Sequence, residues 1–131
     1  MKISTKSEYG IRALIHLAEC GNGQPYSIQL IAKNEKLPYS FLEKIFQKLK
    51  NAGIVESVRG VSGGYKLNKP LDQINVKSIF DVLDDGVEIF GRLAKTNVGD
   101  GIHCKSHVLF TVVDKSIQDS LQRLSLADII K

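Results

Sequence analysis

Cys104 and His107 stand three residues apart, with His103 directly before the cysteine. On a helix such a pair shares a face. A thiolate and an imidazole there offer two donors suited to zinc or to an iron–sulfur cluster, sites that take four ligands. Cys104 alone reads differently, as a redox-sensitive thiol whose thiolate is favoured by a helix N-terminus and by Lys105. His16 and Cys20, four apart, also have a metal-binding spacing, but two residues make no site.

A second chemistry lies in Tyr39, Ser40, Glu43, Lys44 and Gln47, followed by Arg59 and Ser62 among Gly60, Gly63 and Gly64. At the start of a helix inserted in a major groove, Tyr39 and Ser40 can hydrogen-bond bases or phosphates, and Glu43 can accept from the cytosine amino group. Lys44, Lys48 and Lys50 suit phosphates, which position a protein without reading sequence. An arginine beside glycines can enter a narrow minor groove. By themselves these residues also describe an ordinary solvated helix face, so the surrounding elements decide.

Those elements form a recognisable order. Ser27 caps a short helix carrying Ile28, Ile31 and Ala32, and the stretch 34–38 breaks it. Pro38 opens a second helix, to about Ala52, that buries Leu42, Ile45, Phe46 and Leu49 on one stripe. Gly53 stops it. Residues 54–58 and 64–67 then read as two strands joined by the glycine-rich tip. Helix, turn, helix and arginine-tipped hairpin make a winged helix-turn-helix. A first helix, about Thr5 to Cys20, precedes it, with Tyr9, Ala13, Leu14, Leu17 and Ala18 on one face and Lys6 and Arg12 available to phosphates.

The motifs Lys2-Ile3-Ser4-Thr5-Lys6 with Tyr9, Phe41-Leu42-Glu43, Leu49-Lys50-Asn51-Ala52-Gly53-Ile54-Val55, and Val58-Arg59-Gly60 through Gly63-Gly64-Tyr65 resemble the Rrf-two family of bacterial regulators. The match covers nearly the whole chain. It implies a dimeric transcription factor, often a repressor, with a long dimerisation helix after the wing. In cluster-binding relatives, the resemblance further implies, three cysteines at about six-residue spacing precede a histidine, and a carboxylate near the first helix can assist. Here Cys104 and His107 match, and Glu8 is the candidate carboxylate. Val98 and Arg92 occupy the other two cysteine positions, which argues against a conventional cluster. No cofactor is assigned; an iron–sulfur cluster is possible only with ligands from Glu8 or a partner subunit.

Charge follows the same division. Residues 1–70 hold 11 Lys and Arg against 5 Asp and Glu, a balance of +6; residues 71–131 hold 7 against 9, a balance of −2. A polyanion partner is favoured where the positive field and the helix-turn-helix coincide. No apolar run is long enough to span a membrane, and the start lacks a signal-peptide core. Two cysteines make no disulfide scaffold, so the cytoplasm is the expected compartment.

Beyond the wing, Asn75 caps a helix to about Asp84 carrying Val76, Ile79, Phe80, Val82 and Leu83. A loop covers about 91–103. From about Lys105 to Leu124, the residues Val108, Leu109, Val112, Val113, Ile117, Leu121 and Leu124 make a stripe wider than one small domain can cover. A second copy is expected to cover it, giving a two-fold homodimer. Ser125 and Asp128 suggest a capped final turn whose apolar residues fold back on the dimer.

The fold expected is therefore mainly α with a small β-hairpin wing: a winged helix-turn-helix domain, residues 1–70, and a second part, 71–131, holding a linker helix, a sensor-type loop and a long C-terminal dimerisation helix. The function expected is that of a sequence-specific regulator of double-stranded DNA, redox- or ligand-responsive. The competing class is a metal- or iron–sulfur-dependent redox protein using Cys104 and His107. The chain has no paired catalytic carboxylates, phosphate-binding loop or nucleophile–base signature, so no enzyme is expected.

Overall fold

The computed structural model describes residues 3–61, 63–84 and 101–130, with residues 101–104 described by their backbone alone. Helix α1 spans Thr5–Gly21, α2 Ile28–Glu35 and α3 Tyr39–Asn51; strands β1 (Val55–Val58) and β2 (Gly64–Leu67) form the wing. A 3-10 turn, Leu71–Gln73, leads to α4 (Val76–Asp84); α5 runs Gly101–Arg123 and α6 Leu126–Ile129. The expected mainly helical fold with a β-hairpin is the one observed among the described residues. Among the described residues, no helix is long and apolar enough to cross a membrane.

Local chemistry sets the helix ends. Ser4 caps α1 by accepting from the Ser7 amide at 3.2 Å, and Ser27 caps α2 by accepting from Gln29 at 3.1 Å. α2 ends on Lys36 at φ 57°, the left-handed region, where its amide bonds back to Ala32 and Lys33. Gly53, at φ 79°, ends α3. Asn75 accepts from the Ser78 amide at 3.1 Å and so starts α4.

One core joins these elements. Leu14 and Leu17 of α1, Ile31 of α2, Leu42, Phe46 and Leu49 of α3, and Ile79 of α4 are all buried in it. At the far end of α4, the Asp84 carboxylate accepts from the hydroxyls of Ser4 and Ser7, fixing the start of α1 against it. A negative group at a helix N-terminus is favourable there.

The C-terminal stripe divides into a half-buried and an exposed part. α5 packs on α4, with Val113, Ile117 and Leu121 half-buried in the same chain. Val108, Leu109 and Val112 are each more than half exposed, at 60%, 57% and 56%. The helix begins at Gly101, four residues before the sequence suggested, so residues 101–103 are helical rather than loop. The rest of the expected loop, 91–100, lies outside the described residues. The final turn also differs from expectation. Leu126 is fully buried in its own chain's core, and its amide bonds to Ile74 at 2.9 Å while Val76 bonds to Leu124 at 2.8 Å. Backbone pairing beside Asn75, which sequence periodicity does not report, draws it there.

Candidate nucleic-acid interface

The hairpin is antiparallel, with Val55 opposite Leu67 and Val58 opposite Gly64. Glu56 and Lys66 face one another across it and form an ion pair at 3.0 Å. Its base is held by a third segment: Tyr26 and Tyr65 exchange both backbone hydrogen bonds, at 2.8 and 2.9 Å. The Tyr65 ring leans on Phe46 of α3, centroids 5.1 Å apart. The hairpin is thus braced against the helix beside it.

Between α3 and the wing runs an open groove of about 460 Å³, lined by Tyr39, Glu43 and Gln47 on one side and Ser57, Val58 and Gly63 on the other. The spacing 39, 43, 47 is one residue per turn along a single face of α3. Three of the residues singled out from sequence therefore share a wall. The Tyr39 hydroxyl is held protonated above its ordinary range, chiefly by hydrogen bonding to the Glu43 carboxylate, with desolvation adding to it. Gln47 donates to Asn51 at 3.4 Å. Arg59 and Val61 are exposed at the wing tip. Ser40 is exposed on the first turn of α3 but does not line the groove. Lys44 lies on the opposite flank, in a small cleft with Lys6, Phe41 and Lys48. Ser62 lies outside the described residues.

Sequence reasoning missed Gln29 and Ser57, which complete the groove. Ser27 also lines it, although the sequence indicated only its capping role. No periodicity marks these residues, because the Tyr26–Tyr65 pairing brings the start of α2 against the wing.

That pairing requires a glycine at position 64. A Cβ there would lie 2.3 Å from the Tyr26 carbonyl oxygen and 2.5 Å from its carbon, both backbone atoms. Gly64→Ala is expected to break the pairing and lower stability by about 1–3 kcal/mol, read as a drop in denaturation midpoint with loss of the Tyr26 amide's exchange protection.

His16 does not form a pair with Cys20. Its Nδ1 lies 3.0 Å from Glu35 Oε1 and its Nε2 3.3 Å from the Tyr26 hydroxyl, so both nitrogens are engaged, while Cys20 is exposed. Arg12 adds a bond to the Glu35 backbone carbonyl at 2.8 Å and an ion pair to its carboxylate at 3.3 Å. The His16 hydrogen bond holds the Glu35 carboxyl below its ordinary 4.5, against an opposing effect of burial and with help from Arg12. A carboxyl depressed on folding adds stability above its unfolded pKa and loses it as pH falls through the folded one. The stability gap between the parent and Glu35→Gln should therefore be full at neutral pH and close below the ordinary 4.5, as pH-dependent melting would show.

Residues 3–131 match the family model Rrf2, described as an iron-dependent transcriptional regulator. The chain belongs to this family. IscR of Erwinia tasmaniensis, an HTH-type transcriptional regulator, is 30% identical over 130 residues, covering 99% of this chain and 79% of its own. The solved structure of T. potens IscR superposes with a TM-score of 0.79 at 32% identity, covering 99% of this chain and 86% of that one. CymR, the global cysteine regulator of B. subtilis, superposes with a TM-score of 0.80 at 31% identity, over 99% and 96%. Membership of Rrf2 makes the protein a DNA-binding transcriptional regulator with the winged-helix fold of these neighbours.

Iron, in the family description, is a separate matter. The chain contains two cysteines, and one of them, Cys20, is an exposed thiol in α1. The side chain of Cys104 lies outside the described residues; His107 stands one turn further along α5. Among the described residues, no three His, Cys, Asp or Glu side chains converge as a metal site. Cys104 and His107 supply two donors where a cluster takes about four. The donor set of this chain does not fit a conventional iron–sulfur cluster.

Proposed function

We propose that the protein acts as a homodimer that reads a palindromic operator and represses by occupying it. Each half inserts the Tyr39–Glu43–Gln47 face of α3 into a major groove and the Arg59 wing tip, with Ser62, into the adjacent minor groove. The observation that carries this reading is the shared groove: the polar face of α3 and the wing flank one open channel. Ser40 and Lys44, one turn apart on the same side of that face, are assigned to the flanking backbone. The exposed Val108, Leu109 and Val112 supply a surface for the second copy, which would bring two reading helices to a two-fold site. In this reading residues 1–70 bind the duplex and residues 71–131 pair the subunits and receive a redox or ligand signal.

Binding of the full chain to duplexes selected from genomic fragments, measured over a range of salt, tests it. Arg59→Ala should weaken selected and unselected duplexes alike by about tenfold and flatten the salt dependence. Glu43→Ala should instead relax the preference at one base pair per half-site, by about 1–3 kcal/mol of discrimination. A reporter behind a selected operator should be silenced by the parent and released by Arg59→Ala. Equal affinity of the parent and Arg59→Ala would remove the minor-groove role.

A further inference from the structure

We infer that His16 is a positioning residue for duplex binding, a brace that ties the turn of the helix-turn-helix to the base of the wing. The inference rests on the duplex-binding reading above and adds to it the part that sets the angle between α3 and the wing.

The geometry is a continuous chain of contacts. Glu35 is the last residue of α2, at the turn into α3. Its carboxylate meets His16 Nδ1 at 3.0 Å, and the other ring nitrogen meets the Tyr26 hydroxyl at 3.3 Å. Tyr26 then exchanges two backbone bonds with Tyr65 of β2. The His16 side chain is only 10% exposed, so water does not compete freely for either nitrogen. Arg12, from the same helix, holds Glu35 at its backbone carbonyl and at its carboxylate, leaving that end of the brace little freedom.

Proton chemistry makes this a fixed brace. A carboxylate partner requires the proton on Nδ1, which leaves Nε2 to accept from the tyrosine O–H. In the imidazolium, Nε2–H donates to the same hydroxyl oxygen. Both arms persist in either charge state. Leverage explains why the contact matters for binding. Tyr65 pairs with Ser57, and Arg59 stands two residues further along, about 7 Å at strand rise. A tilt at the base is carried to the arginine.

The test uses the full chain and three variants. Tyr26→Phe removes one hydroxyl and leaves the ring on His16. His16→Asn keeps an amide near the Nδ1 position and loses the arm to Tyr26; His16→Gln places its amide near Nε2 and should retain that arm. In Tyr26→Phe and His16→Asn, amide exchange at Tyr26 and Tyr65 should rise about tenfold with the α1 amides unchanged, and His16→Gln should stay near the parent. On duplex, Arg59→Ala should lose about threefold to fivefold less affinity in the Tyr26→Phe background than in the parent. Exchange that is unchanged, or that rises throughout α1, overturns the brace. So does an Arg59→Ala loss of equal size in both backgrounds. A parent that binds no duplex overturns the functional reading and the positioning role together, while the exchange measurement still reports whether the brace exists.

Discussion

Val112→Glu is expected to convert the proposed homodimer to monomers and to weaken a two-half-site duplex by about a hundredfold or more, because the second copy of α3 is then no longer tethered to the first. Val108, Leu109 and Val112 stand together near the start of α5, each more than half exposed. Three neighbouring large apolar side chains exposed on one helix are the surface that the proposed homodimer would bury. A carboxylate at its centre would be buried without a partner in a dimer, which is strongly unfavourable. In a single chain the same position is open to water, so the folded monomer should tolerate it. Sedimentation gives the assembly state, and titration of one-site and two-site duplexes gives the binding loss. Affinity for a single half-site should change little. A Val112→Glu protein that stays dimeric at micromolar concentration would show that α5 is not the pairing surface.

Phe46→Ala is expected to lower stability by about 3–5 kcal/mol, a large share of the 5–15 kcal/mol that usually holds a domain together. Phe46 is fully buried beneath α3 and is also the ring on which Tyr65 of the wing rests, at 5.1 Å. The substitution leaves a cavity at the junction of α3 and the hairpin. Denaturant melting should show the loss directly. Phe46→Leu fills most of the space and should cost about 1–2 kcal/mol while losing the aromatic support of Tyr65. Its duplex affinity should therefore fall further than its stability suggests. Equal stability for Phe46→Ala and the parent would contradict the packing described.

The periodic parts of this fold were legible from residue order. Leu42, Ile45, Phe46 and Leu49 had to lie along one side of a helix, and Gly53 had to end it, because spacing and the freedom of glycine are local properties. Arg59 among glycines identified the hairpin tip for the same reason, and the motif set identified the family. Even so, the turn between α2 and α3 turns on Lys36 in a left-handed conformation, which nothing in a lysine announces.

What residue order left open was every contact between distant segments. His16 could be weighed against Cys20 only by spacing along α1; its partners, Glu35 and Tyr26, lie on other elements. Residue order placed both Glu43, on bases, and Lys44, on phosphates, at the duplex, yet a step of one residue turns a helical side chain about 100°, and Lys44 faces the α1 side. The final turn was expected on a dimer surface, but the pairing of Leu124 and Leu126 with the chain at Ile74–Val76 buries Leu126 at home. Periodicity shows which face of an element is apolar; only the packed structure determines what that face meets, because the hydrophobic effect has no direction and hydrogen bonds between segments do.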